Sequence, residues 1–420
     1  MLGIALAMRL PSSLLSLFSA FALVAASRSA SADAAPMNVV VITIDSLRAD
    51  MPWAGYPRDI APRLTEIEKR SVSYTRAYAL SSFTSKSVGG LLAGQYPSSL
   101  DRDGDFFTRY FPPNVMLGER LHDAGVRALA GHAHMYLDKG HGFEQGFDAW
   151  RVVPGITFDY NKDPWVTSQK LTPLAVEMLT DAASHDGPFF AWFHYMDPHD
   201  VYQPHPEGPA YGGRARDLYD GEVRFTDAWV GKLVDFIEAQ PWGKHTAIVI
   251  SADHGEAFGD HHEWRHAFEL YDELVHVPLM FLVPGVAPRR VEVARSHLDL
   301  APTILELVGA PRAADLPGTS LASEVLTGKD DAPRPVLCDL PEDSFNERRR
   351  SLLDGSMKLI AFANDFRYEL YDLEHDPGEK QDLWKQDPER SKAMVARYKA
   401  ESAKIREAKV RGGIAKHKDK

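Results

Sequence analysis

The chain has 420 residues, of which 44% are hydrophobic and 25% are charged, ordinary globular values that exclude wholesale disorder. Its formal net charge of -12 argues against nucleic acid as the main partner, because an acidic surface repels the phosphate backbone. Cys338 is the only cysteine, so no intramolecular disulfide can form.

The N-terminal segment has the pattern of a signal peptide. Residues 1–9 are weakly basic, residues 14–26 are apolar, and Ala30-Ser31-Ala32 provides the small-x-small pattern of a cleavage site. The sequence therefore predicts a signal peptide over residues 1–32 and export to the periplasm or the medium, with an uncleaved anchor as the alternative. No other stretch approaches the apolar length of a transmembrane helix, so we expect no stable membrane span.

Apolar, β-branched runs alternate with helical stretches along the next part of the chain. The predicted strands cover residues 38–44, 126–130, 188–193, 246–250 and 277–283. The predicted connecting helices cover residues 61–69, 115–124, 171–183, 220–239 and 299–308. Runs that are apolar on both faces are typical of parallel strands, so we expect an α/β fold whose large, mostly parallel central sheet carries helices on both faces.

The character of the sequence changes after Pro317. Short strand-like stretches at 333–339, 350–363 and 367–373 predict a small C-terminal subdomain built on an antiparallel sheet. We therefore divide the chain into a catalytic domain at 36–317, a subdomain at 318–390 and a charged terminal helix or tail at 391–420.

Polar clusters follow three of the predicted strands. Asp45 follows the first strand, residues 194–199 follow another, and Asp253 and His254 follow a third. Ligands of open α/β sheets bind beyond the carboxyl ends of the strands, so these clusters are expected to converge. Carboxylate and imidazole groups are ligands of divalent cations, although an Asp after a strand can also simply cap a helix.

The stretch "SSFTSKSVGGLLAGQYP", residues 81–97, places several hydroxyl groups at the start of a predicted helix. Ser and Thr are common N-caps, which is one interpretation of this cluster. A helix N-terminus also attracts anions, and an alcohol beside a metal ion can act as a nucleophile. The second interpretation links this stretch to the Asp and His clusters.

Eight motifs occur in the order found in a known enzyme family. They are "NVVVITIDSLRAD", "SSFTSKSVGGLLAGQYP", "GFEQGFDAW", "HYMDPHDVY", "SADHGEAFGDHHEW", "HAFELYDELVHVPLMF", "SHLDLAPTILELVG" and "ELYDLEHDPGEKQDL". With these motifs the chain resembles the sulfatase family of the alkaline phosphatase superfamily over nearly its whole length after residue 32. The resemblance implies a large α/β sandwich with a small C-terminal subdomain, a catalytic divalent metal, and hydrolysis of sulfate or phosphate esters.

The nucleophile position departs from the sulfatase pattern. Sulfatases carry a Cys, or sometimes a Ser, that begins a Cys-x-Pro-Ser-Arg motif and is converted to formylglycine. Counting back from Gly94 places Thr84 at that position and Val88 in place of the Arg, so we expect no formylglycine. Other branches of the superfamily use a Thr nucleophile, which implies that Thr84 attacks phosphorus and forms a phospho-threonine. If the alignment to the family motif is shifted, Ser85 or Ser82 is the nucleophile instead.

The resemblance also assigns metal ligands. It implies one divalent cation held by Asp45, Thr84, Asp253 and His254, with Ser46 in place of the second Asp of sulfatases. The nitrogen ligand favours Mn or Zn, and Ca is the alternative.

Other residues match positions of substrate contacts in the family. His134 and His199 are expected to bind the anion or protonate the leaving oxygen, and Lys86 is a candidate counter-charge unless it points to solvent. Asp197, His199 and His266 form a candidate second set of metal or substrate ligands. The stretch 260–262 is interpreted as a loop rather than as ligands.

Together these features predict an exported, metal-dependent hydrolase that cleaves phosphoesters, with diesters favoured, through Thr84. The expected substrate is an anionic ester of a small molecule, glycan or lipid. Sulfate-ester hydrolysis is the alternative function. A phospho-alcohol transferase and a non-catalytic protein that binds anionic glycans remain open as well.

Overall fold

The computed structural model describes residues 35–157 and 165–415, together with Gly3. The predicted signal peptide therefore lies outside the described residues except for Gly3, and residues 416–420 of the predicted tail lie outside them as well. Among the described residues, no helix combines the length and the apolar character that a bilayer-spanning segment requires.

Strands and helices alternate through the first three quarters of the described chain. The strands are β1 (Asn38–Ile44), β2 (Val72–Tyr78), β3 (Arg127–His132), β4 (Ala149–Val152), β5 (Phe189–Tyr195), β6 (Thr246–Ala252), β7 (Ala257–Phe258), β8 (Trp264–Arg265), β9 (His276–Leu282), β10 (Arg289–Val291), β11 (Arg295–Ser296), β12 (Val336–Leu340), β13 (Arg349–Asp354), β14 (Met357–Phe362) and β15 (Arg367–Asp372). The α-helices are α1 (Pro62–Glu68), α2 (Thr84–Ala93), α3 (Leu117–Asp123), α4 (Ser168–Ala182), α5 (Ala215–Ala239), α6 (Asp272–Val275), α7 (Leu300–Leu307), α8 (Ala322–Thr327) and α9 (Pro388–Ser402).

The central sheet has nine strands within the described part of the chain, in the order β10-β2-β9-β6-β1-β5-β3-β4, with β11 also paired to β2. Strand β9 runs antiparallel to β2 and β6, and the other pairings are parallel. Every residue of β1 is buried, as expected for a strand covered on both faces. The predicted mostly parallel sheet is confirmed.

Helices cover both faces of this sheet because alternate residues of each central strand point to opposite sides. Val39 and Val41 of β1 belong to an apolar cluster with residues of α2, α3 and α7. Val40 and Ile42 belong to a second cluster with residues of α1, α4 and α5. The core is therefore two apolar layers separated by the sheet.

The described C-terminal segment contains a four-stranded antiparallel sheet in the order β12-β13-β14-β15. The stretch 350–363, predicted as one strand-like segment, is a hairpin of β13 and β14 that turns at Gly355, whose φ of +65° suits glycine. Residues of α9, including Tyr398, pack against one face of this sheet. The predicted antiparallel sheet is confirmed and lies inside the segment 318–390.

Candidate active site

The register of two parallel strands places Asp45 and Asp253 side by side. Ile44, the last residue of β1, pairs with Ala252, the last residue of β6. The next residue of each strand is an aspartate, so both carboxylates emerge at the same edge of the sheet. Both are completely buried.

Thr84 is the first residue of α2, and its hydroxyl points at this edge. Its Oγ1 lies 3.0 Å from Nε2 of His254 and 3.3 Å from Oδ2 of Asp45. The Ser87 hydroxyl, one turn further along the helix, donates a 2.6 Å hydrogen bond to the carbonyl of Asp253. This bond fixes the start of α2 against the end of β6, so the structure brings together the four predicted ligands.

The donor set of Asp45, Asp253 and His254 fits a divalent cation. One ligand atom of each residue lies within 4.8 Å of the others, and Oδ2 of Asp253 has no hydrogen-bond partner among the described residues although it is buried. The Nδ1 of His254 lies 2.9 Å from the carbonyl oxygen of Gly255, which accepts a hydrogen bond when Nδ1 carries the proton. That tautomer leaves the lone pair of Nε2 free to bind a metal.

Burial and neighbouring charges perturb the acid–base properties of these groups. Burial raises the pKa of Asp253 well above its ordinary value, and the adjacent Asp45 raises it further. Burial alone would also raise the pKa of Asp45, but nearby histidines, mainly His134, hold it well below its usual value. Burial and His266 lower the pKa of His254, which favours the neutral ring that a metal requires. A cation bound among these groups would favour the charged form of both carboxyl groups and the neutral form of the imidazole.

Two further histidines surround Asp45. Nε2 of His134 lies 2.6 Å from Oδ2 of Asp45, and Nε2 of His194 lies 3.5 Å from the same oxygen. Nδ1 of His194 lies 2.8 Å from the hydroxyl oxygen of Thr43, which fixes the orientation of the ring. Asp45, His134 and His194 therefore form a second group of potential ligand atoms that shares the Asp45 carboxylate.

The sequence placed His194 in the polar cluster expected at this edge but gave it no ligand role, and it placed the end of the strand one residue before His194. The observed strand continues through His194 to Tyr195. Its place in a fully buried strand, at the start of the polar cluster 194–199, was the signal for a ligand role.

His199 and His266 lie at the outer side of this cluster. The ring centroid of His199 lies 5.5 Å from that of His134 and 5.2 Å from that of His266. Nδ1 of His266 lies 3.1 Å from a carboxylate oxygen of Glu256. Burial alone would lower the pKa of His266, but Glu256 raises it above its ordinary value. Sequence reasoning also missed Glu256, which is completely buried.

The structure does not assemble the candidate second set of Asp197, His199 and His266. The Asp197 carboxylate lies at the N-terminus of α4, where it accepts hydrogen bonds from the backbone N–H groups of Thr167 and Ser168 and from the Ser168 hydroxyl. Free N–H groups at a helix start bind a carboxylate strongly, so Asp197 is held there. Its role in the structure is that of a helix cap.

The Lys86 side chain points neither to solvent nor to the carboxylates of Asp45 and Asp253. Its ammonium group lies 2.6 Å from Oδ2 of Asp343 and donates a 2.7 Å hydrogen bond to the carbonyl of Phe106. It also sits 4.5 Å from the ring centroid of Phe83, and the side chain is 1% exposed. This geometry argues against the predicted counter-charge role, because Asp343 already neutralises the ammonium.

Comparison with known sequences identifies the family. A model of the family described as Sulfatase matches residues 37–310, and a model described as N-sulphoglucosamine sulphohydrolase, C-terminal, matches residues 259–408. An ulvan-active sulfatase of Formosa agariphila is 25% identical over 350 residues, which cover 71% of this chain and 67% of that protein. A choline-sulfatase of Rhizobium meliloti is 26% identical over an alignment that covers 82% of each chain.

Solved structures share the fold. A 2-O GAG sulfatase superposes with a TM-score of 0.73 at 21% identity and covers 88% of this chain and 92% of its own. A phosphonate monoester hydrolase of Agrobacterium radiobacter superposes with a TM-score of 0.70 at 18% identity and covers 88% and 95%. Because the match to the Sulfatase family covers residues 37–310, well over half of the chain, this protein is an ester hydrolase of the sulfatase family, within the alkaline phosphatase superfamily.

Proposed function

We propose that this sulfatase-family enzyme hydrolyses phosphoesters, with diesters favoured, through Thr84 as the nucleophile. The observation that carries this proposal is the position of Oγ1 of Thr84, which lies 3.0 Å from His254 and 3.3 Å from Asp45 at the start of a helix. Attack by Oγ1 forms a bond to phosphorus and breaks the bond to the leaving alcohol. Water then cleaves the phospho-threonine and restores the hydroxyl group.

Sulfatase-family enzymes generally use a divalent metal, and Asp45, Asp253 and His254 are the residues that would hold it here. The nitrogen ligand favours Mn or Zn, with Ca as the alternative. When bound, the cation lowers the pKa of the threonine hydroxyl and offsets negative charge on the attacked group. Oδ2 of Asp45 lies 3.3 Å from Oγ1 of Thr84 and is positioned to accept the proton of this hydroxyl group. His134 and His199 are the candidate acids for the leaving oxygen.

Sulfate-ester hydrolysis is the second candidate function. The similarity to an ulvan-active sulfatase and a choline-sulfatase favours it. The fold itself does not decide between the two ester types, because both a 2-O GAG sulfatase and a phosphonate monoester hydrolase share it. In either case the substrate is an anionic ester of a small molecule or of a glycan or lipid.

A three-substrate assay tests the proposal. We would compare a bis-aryl phosphate, an aryl phosphate and an aryl sulfate that release the same phenol, using protein reconstituted with Mn, Zn or Ca. The proposal predicts that kcat/KM for the phosphate esters exceeds that for the sulfate ester. The reverse ranking would support the sulfatase alternative, and no turnover of any ester would support a binding protein.

We also propose that the protein is exported, to the periplasm or the medium. The support is the basic, apolar and small-residue pattern of residues 1–32. Expression of the full chain followed by cell fractionation and N-terminal sequencing tests it, because a cleaved protein would begin near residue 33. An intact N-terminus in the cytosolic fraction would contradict the proposal.

A further inference from the structure

A cavity of about 650 Å³ has charged and polar side chains in its lining and aromatic rings along part of its walls. Phe106, Phe107, Tyr136 and Phe345 contribute these walls. Phe345 is 44% exposed, so part of its ring is accessible to a ligand. The volume is in the range of sites that bind small organic molecules.

The aromatic walls continue to the catalytic groups. The ring centroid of Tyr136 lies 4.9 Å from that of His134, the histidine that contacts Asp45. Phe83, the residue directly before Thr84, stacks on Phe106 with 4.1 Å between the ring centroids. A substrate whose ester group lies at Thr84 can therefore extend its alcohol portion along these rings.

The charges around the cavity are balanced among the described lining residues. Arg109 and Lys139 contribute positive charge, and Asp105 and Asp138 contribute an equal negative charge. A polyanionic glycan would require an excess of cationic side chains along its path. The cavity instead suits a group without net charge.

The loop that carries Phe345 is held against α2. The carboxylate of Asp343 accepts hydrogen bonds of 2.8 Å from the backbone N–H groups of Phe345 and Asn346, and it also pairs with Lys86. Phe345 lies edge-on to Phe106, with 5.3 Å between the ring centroids. The outer wall of the cavity is thus a fixed surface attached to the helix that begins with Thr84.

We infer that this cavity is the subsite for the alcohol portion of the substrate, and that this portion is an uncharged aromatic group stacked between Phe345 and Tyr136. The inference rests on the proposed function, since it assigns the leaving group of the same reaction. Aromatic pairs with offset or edge-on geometry and the removal of ring surface from water provide the binding energy.

Phe345→Ala tests the inference, and Phe366→Ala is the matched control. Phe366 is 91% exposed and lies in the turn between β14 and β15, so it is an exposed phenylalanine of the same subdomain outside the cavity. We expect Phe345→Ala to lower kcat/KM for 4-methylumbelliferyl phosphate about tenfold, and to change kcat/KM for methyl phosphate less than about twofold. Phe345→Leu, which keeps apolar volume, should show a smaller loss if Phe345→Ala folds poorly.

Binding of free 4-methylumbelliferone, measured by calorimetry, separates this inference from the proposed function. Binding to wild type and Phe366→Ala that is lost in Phe345→Ala supports the subsite even if no ester is turned over. Turnover with equal losses for aryl and methyl esters, or umbelliferone binding unaffected by Phe345→Ala, overturns the inference and leaves the proposed function intact. Binding of phosphocholine or a sulfated disaccharide, in place of umbelliferone, also overturns it.

Discussion

The hydroxyl oxygen of Thr84 lies 3.0 Å from Nε2 of His254, although the two residues are 170 positions apart in sequence. Thr84 begins α2, and His254 follows the end of β6. The hydroxyl group at the helix start and the imidazole after the strand end meet because the helix begins, and the strand ends, at the same edge of the central sheet. This relationship is the structural basis for the catalytic predictions.

Thr84→Ala is expected to abolish ester hydrolysis, lowering kcat about 10,000-fold or more, because the variant lacks the hydroxyl group that lies beside His254 and Asp45. Thr84→Ser keeps the hydroxyl group and should retain part of the activity. Mass spectrometry of acid-quenched reactions should detect a phosphorylated peptide containing Thr84 in wild type and in no Thr84→Ala sample.

Ser85→Ala and Ser82→Ala are the matched controls for this experiment. Oγ of Ser85 lies 3.4 Å from the carbonyl oxygen of Phe106, and Ser82 precedes the helix. Both variants should keep most of the wild-type activity. Loss of turnover in Ser85→Ala together with persistence in Thr84→Ala would show that the nucleophile had been assigned one residue too early.

Asp253→Asn is expected to remove the bound metal. Asp253 is buried beside Asp45, and a neutral amide weakens the attraction for a cation while it relieves the repulsion between the carboxylates. We expect stoichiometric metal by mass spectrometry in wild type and little in the variant. After EDTA treatment, the variant should unfold at a higher temperature than wild type.

Asp197→Asn is the control for Asp253→Asn, since it also removes a buried carboxylate. Asp197 caps α4, so this variant should lose about 1–2 kcal/mol in the free energy of unfolding and keep its metal. Equal metal content in wild type and Asp253→Asn would contradict the assigned ligand set.

The sequence allowed the central sheet and the meeting of Asp45 with Asp253 to be predicted, because buried parallel strands have a distinctive apolar composition and their carboxyl ends share one edge. The register of β1 and β6 is the physical reason that the two aspartates are neighbours. Strands β2 and β4 were not predicted. β2 contains Arg76 and exposed Thr75, and β4 has only four residues, so neither shows the continuous apolar run of a central strand.

The partners of individual side chains could not be read from the sequence. Asp197 has the spacing of a ligand beside His199, yet its carboxylate binds the start of a helix that lies earlier in the chain. Lys86 lies two residues after Thr84 but pairs with Asp343 of the C-terminal segment. Such choices depend on the relative positions of elements far apart in sequence, which local patterns do not encode.

His261 makes folding stability depend on pH. Burial alone would lower its pKa, but the carboxylate of Glu273 at 2.8 Å and the carbonyl of Glu379 raise the pKa to about 9. The folded-state pKa therefore exceeds the unfolded value of about 6.5. The stabilisation from the protonated ring is complete below about pH 6.5 and is lost as the pH rises through about 9.

Urea unfolding of wild type and Glu273→Gln at pH 6 and pH 9.5 measures this contribution. We expect wild type to lose about 1–2 kcal/mol more stability than the variant over this interval, after allowance for screening by solvent. Tyr271, whose ring stacks on His261 with 3.8 Å between the centroids, remains in both proteins, so the difference reports the ion pair. Equal losses in the two proteins would contradict the assignment.

The buried pair of Lys86 and Asp343 is expected to stabilise the fold and the wall of the aromatic cavity. We do not expect it to bind the anionic group of the substrate. Lys86→Met leaves the carboxylate of Asp343 buried without its cation and should lower the free energy of unfolding by about 3–5 kcal/mol. Lys86→Met combined with Asp343→Asn should cost less than the sum of the two single changes, because the pair is coupled.

The inhibition constant of inorganic phosphate for Lys86→Met should stay within about twofold of wild type, whereas a direct counter-charge role would predict a rise of about tenfold or more. Since Asp343 also holds the backbone of Phe345, kcat/KM for the aryl phosphate should fall more than that for methyl phosphate in Lys86→Met. Additive stability losses together with a raised inhibition constant would contradict this prediction and support Lys86 as the counter-charge of the substrate anion.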